Sequence, residues 1–176
     1  WFGVDDATFT VYVPIYCGTT QVPYCFRKGN GSLLKFSWDA AYWVFNWVSG
    51  MAYSKYKYIA PDIQKTQADF EQKLEDNLEV VEVAAQSLYK KSPDYANRFL
   101  TEYSENQATL MMNRWKELGE FLMVKYTDGN IKQERKGRFI DNGWGVPENI
   151  QTPGYSEKYY RDIIEATGNK YELIEY

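Results

Sequence analysis

Apolar positions recur with a helical period across residues 61–126. Ile63, Phe70, Leu74, Val81 and Leu88 stand seven, four, seven and seven residues apart, and Gln67, Asn77 and Ala84 fall on the same stripe. Glu, Gln and Lys fill the other face, so the pattern predicts an amphipathic helix close to a heptad seam. About thirty residues at ~1.5 Å rise form a rod of roughly 45 Å, which cannot bury its stripe without a partner. A second helix offers Phe99, Leu100, Tyr103, Met111, Trp115, Leu118 and Leu122. The two are predicted to fold back at Ser92-Pro93-Asp94, with Ser92 as cap and Pro93 as first helical residue. The second stripe changes phase over residues 104–107, which predicts a bend or a short break there.

Upstream the period changes from helical to alternating. Phe9, Val11, Val13 and Ile15 alternate with Thr8, Thr10, Tyr12 and Pro14. This predicts a half-buried strand over residues 8–16, paired as a hairpin with residues 1–4 through an Asp5-Asp6-Ala7 turn. Pro14 places that strand at an edge or ends it. Residues 21–26 read as a further short extended piece, and Lys28-Gly29-Asn30-Gly31-Ser32 as a turn. Ser37 is predicted to cap a helix reaching about Tyr58, with Asp39 in its first turn. Trp43, Trp47 and Met51 form one stripe of that helix, with Tyr42, Phe45 and Val48 beside it. A helix so apolar all round is expected between layers. Ala60-Pro61-Asp62 is expected to end it. Beyond Thr127-Asp128-Gly129-Asn130, residues 131–150 read as an irregular surface segment. A last helix over 157–166 is capped by Ser156 and ended by Gly168, and a strand is expected over 170–176. The expectation is α+β: short antiparallel strands, then a long helical hairpin, within one domain over 1–176.

Composition narrows the function classes. The chain has no His and only two Cys. That removes Ser-His and Cys-His nucleophile pairs, the two-His helix of zinc proteases and most zinc sites. Cys17 and Cys25 cannot build a disulfide framework or a four-thiolate metal site, and nothing in the sequence requires them to bridge. A net charge of −4 argues against a nucleic-acid partner. No apolar run approaches the ~20 residues of a membrane span. Residue 1 is Trp, inside what reads as a strand in progress, so the chain is expected to be part of a longer polypeptide. Nothing in it points to a compartment.

Each candidate for chemistry has a plainer structural role beside it. Asp5-Asp6 would not converge as neighbours in a strand, so a turn is expected. Glu75, Asp76, Glu79 and Glu82 lie off the apolar stripe, on a solvated face. The Trp and Tyr residues over 38–47 could stack on sugars or bases, but aromatics at helical spacing are expected in the core. Asn46 among them is expected as a hydrogen-bonded core residue, with a role in orienting a loop or substrate as the alternative.

Several stretches together resemble one family: Trp1-Phe2-Gly3-Val4-Asp5-Asp6, Tyr12-Val13-Pro14-Ile15-Tyr16 with Gly18 and Val22-Pro23, and Ser37-Trp38-Asp39-Ala40-Ala41-Tyr42-Trp43. Val81-Glu82, Leu100-Thr101-Glu102-Tyr103, Trp115 with Leu118, and Pro153-Gly154-Tyr155-Ser156 continue the likeness. They resemble the C-terminal part of bacterial cysteine dipeptidases of the dipeptidase A type, relatives of secernins and of bile-salt and penicillin acylases. The resemblance implies a part of the layered αββα fold of N-terminal-nucleophile hydrolases, and metal-free hydrolysis of dipeptides or short peptides. In that superfamily an N-terminal Cys attacks the amide and its own α-amino group is the base, which requires no His. Residue 1 here is Trp, and Cys17 and Cys25 are internal. No catalytic, cofactor-binding or metal-binding residue is therefore assigned within 1–176, no cofactor is implied, and the nucleophile is expected upstream. The expected partners are a dipeptide or short-peptide substrate and the N-terminal part of the same polypeptide. An aromatic-rich glycan- or peptide-binding module, or a helical scaffold, are the alternative readings.

Overall fold

The computed structural model describes residues 1–127 and Ile131. Two compact units divide the chain, Trp1–Phe121 and Leu122–Tyr176. The expectations for residues 132–176, including the last helix and final strand, lie outside the described residues.

Among the described residues, a 3-10 turn, Tyr24–Phe26, is followed by three α-helices. They are α1 (Ala41–Ser54), α2 (Tyr56–Lys91) and α3 (Pro93–Tyr126). Both long helices form as their periodicity predicts. α2 ends at Ser92, whose N–H reaches the Leu88 carbonyl at 2.9 Å, and α3 starts at Pro93. Leu74 and Val81 are buried, while Phe70 and Leu88 are half-buried and Asn77 is exposed. α3 runs through 104–107 without a break. Its buried line passes through Ala96, Ser104, Ala108, Met111, Trp115 and Leu118. Small residues hold the phase where large apolar ones are missing.

α1 also departs from its predicted form. It starts at Ala41 with Ala40 as its N-cap, so Ser37 does not cap it; the Ser37 hydroxyl accepts the Asp39 N–H at 3.2 Å just ahead of the helix. It ends at Lys55, where φ −146° breaks the helical run. Pro61 therefore lies inside α2, as its sixth residue. It is tolerated there because its missing N–H removes only one bond, near the helix start. The buried face is Ala41, Val44, Phe45, Val48, Ser49 and Ala52. Trp43 and Trp47 are half-buried on its flank, and Tyr42 is exposed.

The α+β expectation, and with it the αββα layering, is overturned. Among the described residues there is no strand, only isolated bridges at Phe2–Val13 and Ser32–Lys35. The predicted alternation over 8–16 holds only in part: Phe9, Val11 and Val13 are buried and Tyr12 is exposed, but Thr10 and Pro14 are buried too and Ile15 is half-buried. A sheet also needs a neighbouring strand to take the backbone donors. Here helix side chains take several of them. The Tyr12 N–H reaches Glu71 of α2 at 2.9 Å, the Thr20 N–H reaches Thr101 of α3 at 2.9 Å, and the Tyr24 N–H reaches Glu105 of α3 at 3.1 Å. The N-terminal segment is thus an extended strap whose apolar side chains and backbone are served by helices. The core it covers includes Phe9, Val11, Val13, Phe45, Ile59, Ile63 and Trp115, with Phe45 stacked on Trp115 at 4.8 Å between ring centroids.

Candidate functional site

Three polar side chains of α1, at positions 46, 49 and 53, fall on one helical face by their spacing of three and four. They hold the Asp5-Asp6 turn. Asn46 Nδ2 donates to Asp5 Oδ1 at 3.2 Å, and Ser49 Oγ donates to Asp5 Oδ2 at 2.8 Å. The Tyr53 hydroxyl donates to Asp6 Oδ2, and the Thr8 N–H donates to Asp6 Oδ1 at 2.8 Å. Asp5 has φ 67°, the left-handed conformation that a residue with a Cβ adopts at a cost. Its carboxylate bonds to α1 hold it there. The Tyr53 hydroxyl and the Thr8 amide keep the Asp6 carboxyl below its ordinary value.

A turn is what the sequence predicts for Asp5-Asp6. Asp5 and Asp6 bond to separate side chains of the same helix, Asp5 to Asn46 and Ser49 and Asp6 to Tyr53. Asn46 is half-buried and orients this loop. A spacing of 46, 49 and 53 within an otherwise apolar helix was the available signal for it.

Beside this turn lies a cleft of about 320 Å³. Phe2, Val4, Phe26, Leu33, Tyr42 and Trp43 form most of its apolar wall, with Cys25, Ala40 and Arg27 also facing it. The Trp43 indole N–H donates to the Ser32 carbonyl at 2.9 Å and fixes one side. Phe2 is pinned by paired 2.9 Å backbone bonds to Val13 and packs edge-on to Phe26 at 4.9 Å. A second, more polar groove of about 510 Å³ runs along α3 past Arg98, Thr101, Glu102 and Glu105. Arg98 and Glu102 are 3.9 Å apart in it.

Neither thiol is bridged; Cys17 is exposed and Cys25 buried. Burial, reinforced by the Glu105 charge, pushes the Cys25 thiol up to about 12, so it stays protonated at neutral pH. Burial also raises the Tyr16 and Tyr103 phenols, whose rings meet at 6.3 Å. Three buried polar atoms, Tyr16 Oη, Ser104 Oγ and Trp115 Nε1, make no hydrogen bond to any described residue. No group of three or more His, Cys, Asp or Glu side chains that could hold a metal occurs among the described residues, and no described helix is long and apolar enough to cross a membrane.

Residues 1–69 match the model of peptidase family C69. The matched stretch contains the Asp5-Asp6 turn, all of α1, every residue of the cleft and the first part of α2. It supports a hydrolase of the peptidase class. The wider likeness carried by Val81-Glu82, residues 100–103, Trp115 and residues 153–156 lies outside the match. No curated protein and no solved structure matches the chain.

Proposed function

We propose that this chain is the C-terminal portion of a cysteine-type dipeptidase that hydrolyses the peptide bond of dipeptides and short peptides. Its nucleophile is an N-terminal Cys on an upstream part of the same polypeptide. The match of residues 1–69 to the C69 family carries the proposal. The thiol chemistry agrees with it. A Cys nucleophile needs a lowered pKa and a base in reach. Cys25 has the opposite shift, and Cys17, being internal, has no free α-amine of its own. In this reading the strap and α1 form part of the substrate cleft, and α2 with α3 buttresses them.

The test compares dipeptide hydrolysis by the 176-residue chain with that by a longer polypeptide processed to an N-terminal Cys. The longer form cleaves dipeptides, loses activity on thiol alkylation and is unaffected by EDTA; the 176-residue chain is inert. Hydrolysis by the 176-residue chain itself contradicts the proposal.

One observation favours a second reading, a glycan-binding surface. Trp38 is 48% exposed, beside exposed Phe36 and Tyr42. Against it, Trp38 is held edge-to-face by both Phe36 at 4.7 Å and Trp47 at 5.0 Å. A sugar needs an open aromatic face. Retardation of the chain in a polysaccharide-containing native gel, lost in Trp38→Ala, would favour this alternative.

A further inference from the structure

The Tyr24–Phe26 turn stands between the apolar cleft and α3. On the cleft side it supplies Cys25 and Phe26 to the wall, and Phe26 packs edge-on to Phe2 at 4.9 Å. On the other side both oxygens of the Glu105 carboxylate accept the Tyr24 N–H, each at 3.1 Å. Glu105 also lies 3.6 Å from Arg27 Nη2. The guanidinium belongs to this outer side. Its Nε donates to the Val22 carbonyl at 2.7 Å, Nη2 donates to Gln21 Oε1 at 3.3 Å, and its carbon is 5.9 Å from the Tyr24 ring centroid. The ion pair is open to water, with side-chain accessibilities of 42% and 36%, so solvent screens it. The charge-assisted bond from the Tyr24 amide is then the stronger tie to α3. The turn's own backbone bonds are local: Phe26 N–H to the Pro23 carbonyl at 2.9 Å and Arg27 N–H to the Tyr24 carbonyl at 3.1 Å.

We infer that Glu105 is a positioning residue for the cleft: from α3 it fixes where the Tyr24–Phe26 turn stands, and so where Phe26 closes the apolar wall against a bound peptide. The peptide rests on the peptidase reading; the clasp does not. Glu105 lies outside the matched residues 1–69, so the match contains the cleft but not the side chain that holds its wall. Releasing the clasp moves Phe26 off Phe2 and uncovers Cys25, which is buried in the turn. A short segment held by one side chain opens at lower cost than the helices unfold. A displaced wall weakens peptide binding without touching the reacting atoms, so KM rises and kcat stays.

The iodoacetamide labelling rate of Cys25 in the folded 176-residue chain reads the clasp, with exposed Cys17 as the control for intrinsic reactivity. Glu105→Gln removes the charge, which also acts on the Cys25 thiol, but keeps an oxygen for the Tyr24 N–H. Glu105→Ala removes both. Cys25 labels about fivefold or more faster in Glu105→Ala than in Glu105→Gln, while Cys17 labels alike in both. Below the unfolding transition the Glu105→Ala rate scarcely changes with urea, the mark of a local opening that exposes little surface. Should Glu105→Ala fail to fold, Glu105→Asp keeps the charge but shortens its reach, and Cys25 labels faster than in the unsubstituted chain. Equal Cys25 rates in the Ala and Gln variants, or a rate that climbs with urea in step with global unfolding, overturns the inference. In the longer, processed polypeptide, Glu105→Ala raises KM for a dipeptide several-fold and leaves kcat, and Glu105→Gln restores KM. An unchanged KM in Glu105→Ala overturns the positioning role and leaves the peptidase standing. An unsubstituted polypeptide that hydrolyses no peptide sinks the peptidase reading, and the labelling rates still decide the clasp.

Discussion

Gly119 of α3 lies directly against the Trp47 indole of α1: a Cβ at position 119 would stand 2.1 Å from Trp47 Cζ3. The contact requires a residue without a side chain, which explains a helix-interior glycine that propensity alone disfavours. Gly119→Ala cannot be accommodated unless Trp47 moves. Alanine gains about 1 kcal/mol over glycine in a helix, but displacing a packed indole outweighs it. The expected outcome is a net loss of roughly 1–3 kcal/mol, with a shift in tryptophan emission. An unchanged or raised denaturation midpoint would contradict this contact.

The face of α2 can be tested by a pair of neighbours. Leu74 is 4% exposed and Glu75 is exposed. Leu74→Ala should lose roughly 2–5 kcal/mol through lost burial and a cavity. Glu75→Ala should stay within about 0.5 kcal/mol. Urea unfolding of both variants reads the difference, and similar midpoints would mean the buried face is assigned wrongly.

These two predictions also show which parts of the fold are legible in the sequence. The hairpin of α2 and α3 was legible because its period continues over many turns, and because Ser92-Pro93 marks the reversal. The phase change at 104–107 brings no break in α3, and Ser104 and Ala108, both buried, do not register as apolar anchors. In α1 the large residues misled in the opposite way. Trp43 and Trp47 dominate its pattern, yet Ala41, Val44, Phe45, Val48 and Ala52 are the residues it buries most fully. The alternation over 8–16 marked Phe9, Val11 and Val13 as buried but missed that Thr10 and Pro14 are buried as well. It could not signal a ladder, because that depends on partners far along the chain, and here Glu71, Thr101 and Glu105 take that role. Likewise Asn46 and Ser49 meet Asp5 across more than forty residues, a contact no local pattern fixes. The cleft was not foreseen either, because its wall draws on residues from Phe2 to Trp43.

The turn at Asp6 makes a prediction in pH. Its carboxyl is held below the ordinary value, chiefly by the Tyr53 hydroxyl. A carboxyl with a depressed folded-state pKa adds stability above its unfolded pKa, near 3.9. That stability is lost as pH falls through the lower folded value. Tyr53→Phe removes the main donor, so the Asp6 titration observed by NMR should move up toward the ordinary carboxylate value. An unmoved Asp6 midpoint in Tyr53→Phe would show that the phenol does not hold it.

Thiol reactivity separates the two cysteines. Because the Cys25 pKa is raised to about 12, its thiolate is scarce at neutral pH and alkylation of the folded chain is slow. Unfolding in denaturant returns it to ordinary reactivity. Peptide mapping after iodoacetamide treatment at pH 7 should find Cys25 unlabelled in the folded chain and labelled in the unfolded one. Rapid labelling of Cys25 while the chain is folded would mean an activated thiol, and with it a nucleophile inside these residues.

The central claim is that the C69-like residues serve a cysteine peptidase whose nucleophile is an N-terminal Cys upstream of them. The initial rate of dipeptide hydrolysis by the processed polypeptide, before and after replacement of that N-terminal Cys by Ala, tests it most directly. The account predicts turnover in the first case and, in the second, a fall of several orders of magnitude while Cys17 and Cys25 remain in place. Hydrolysis that survives the replacement, or that disappears only when Cys17 or Cys25 is removed, would contradict it.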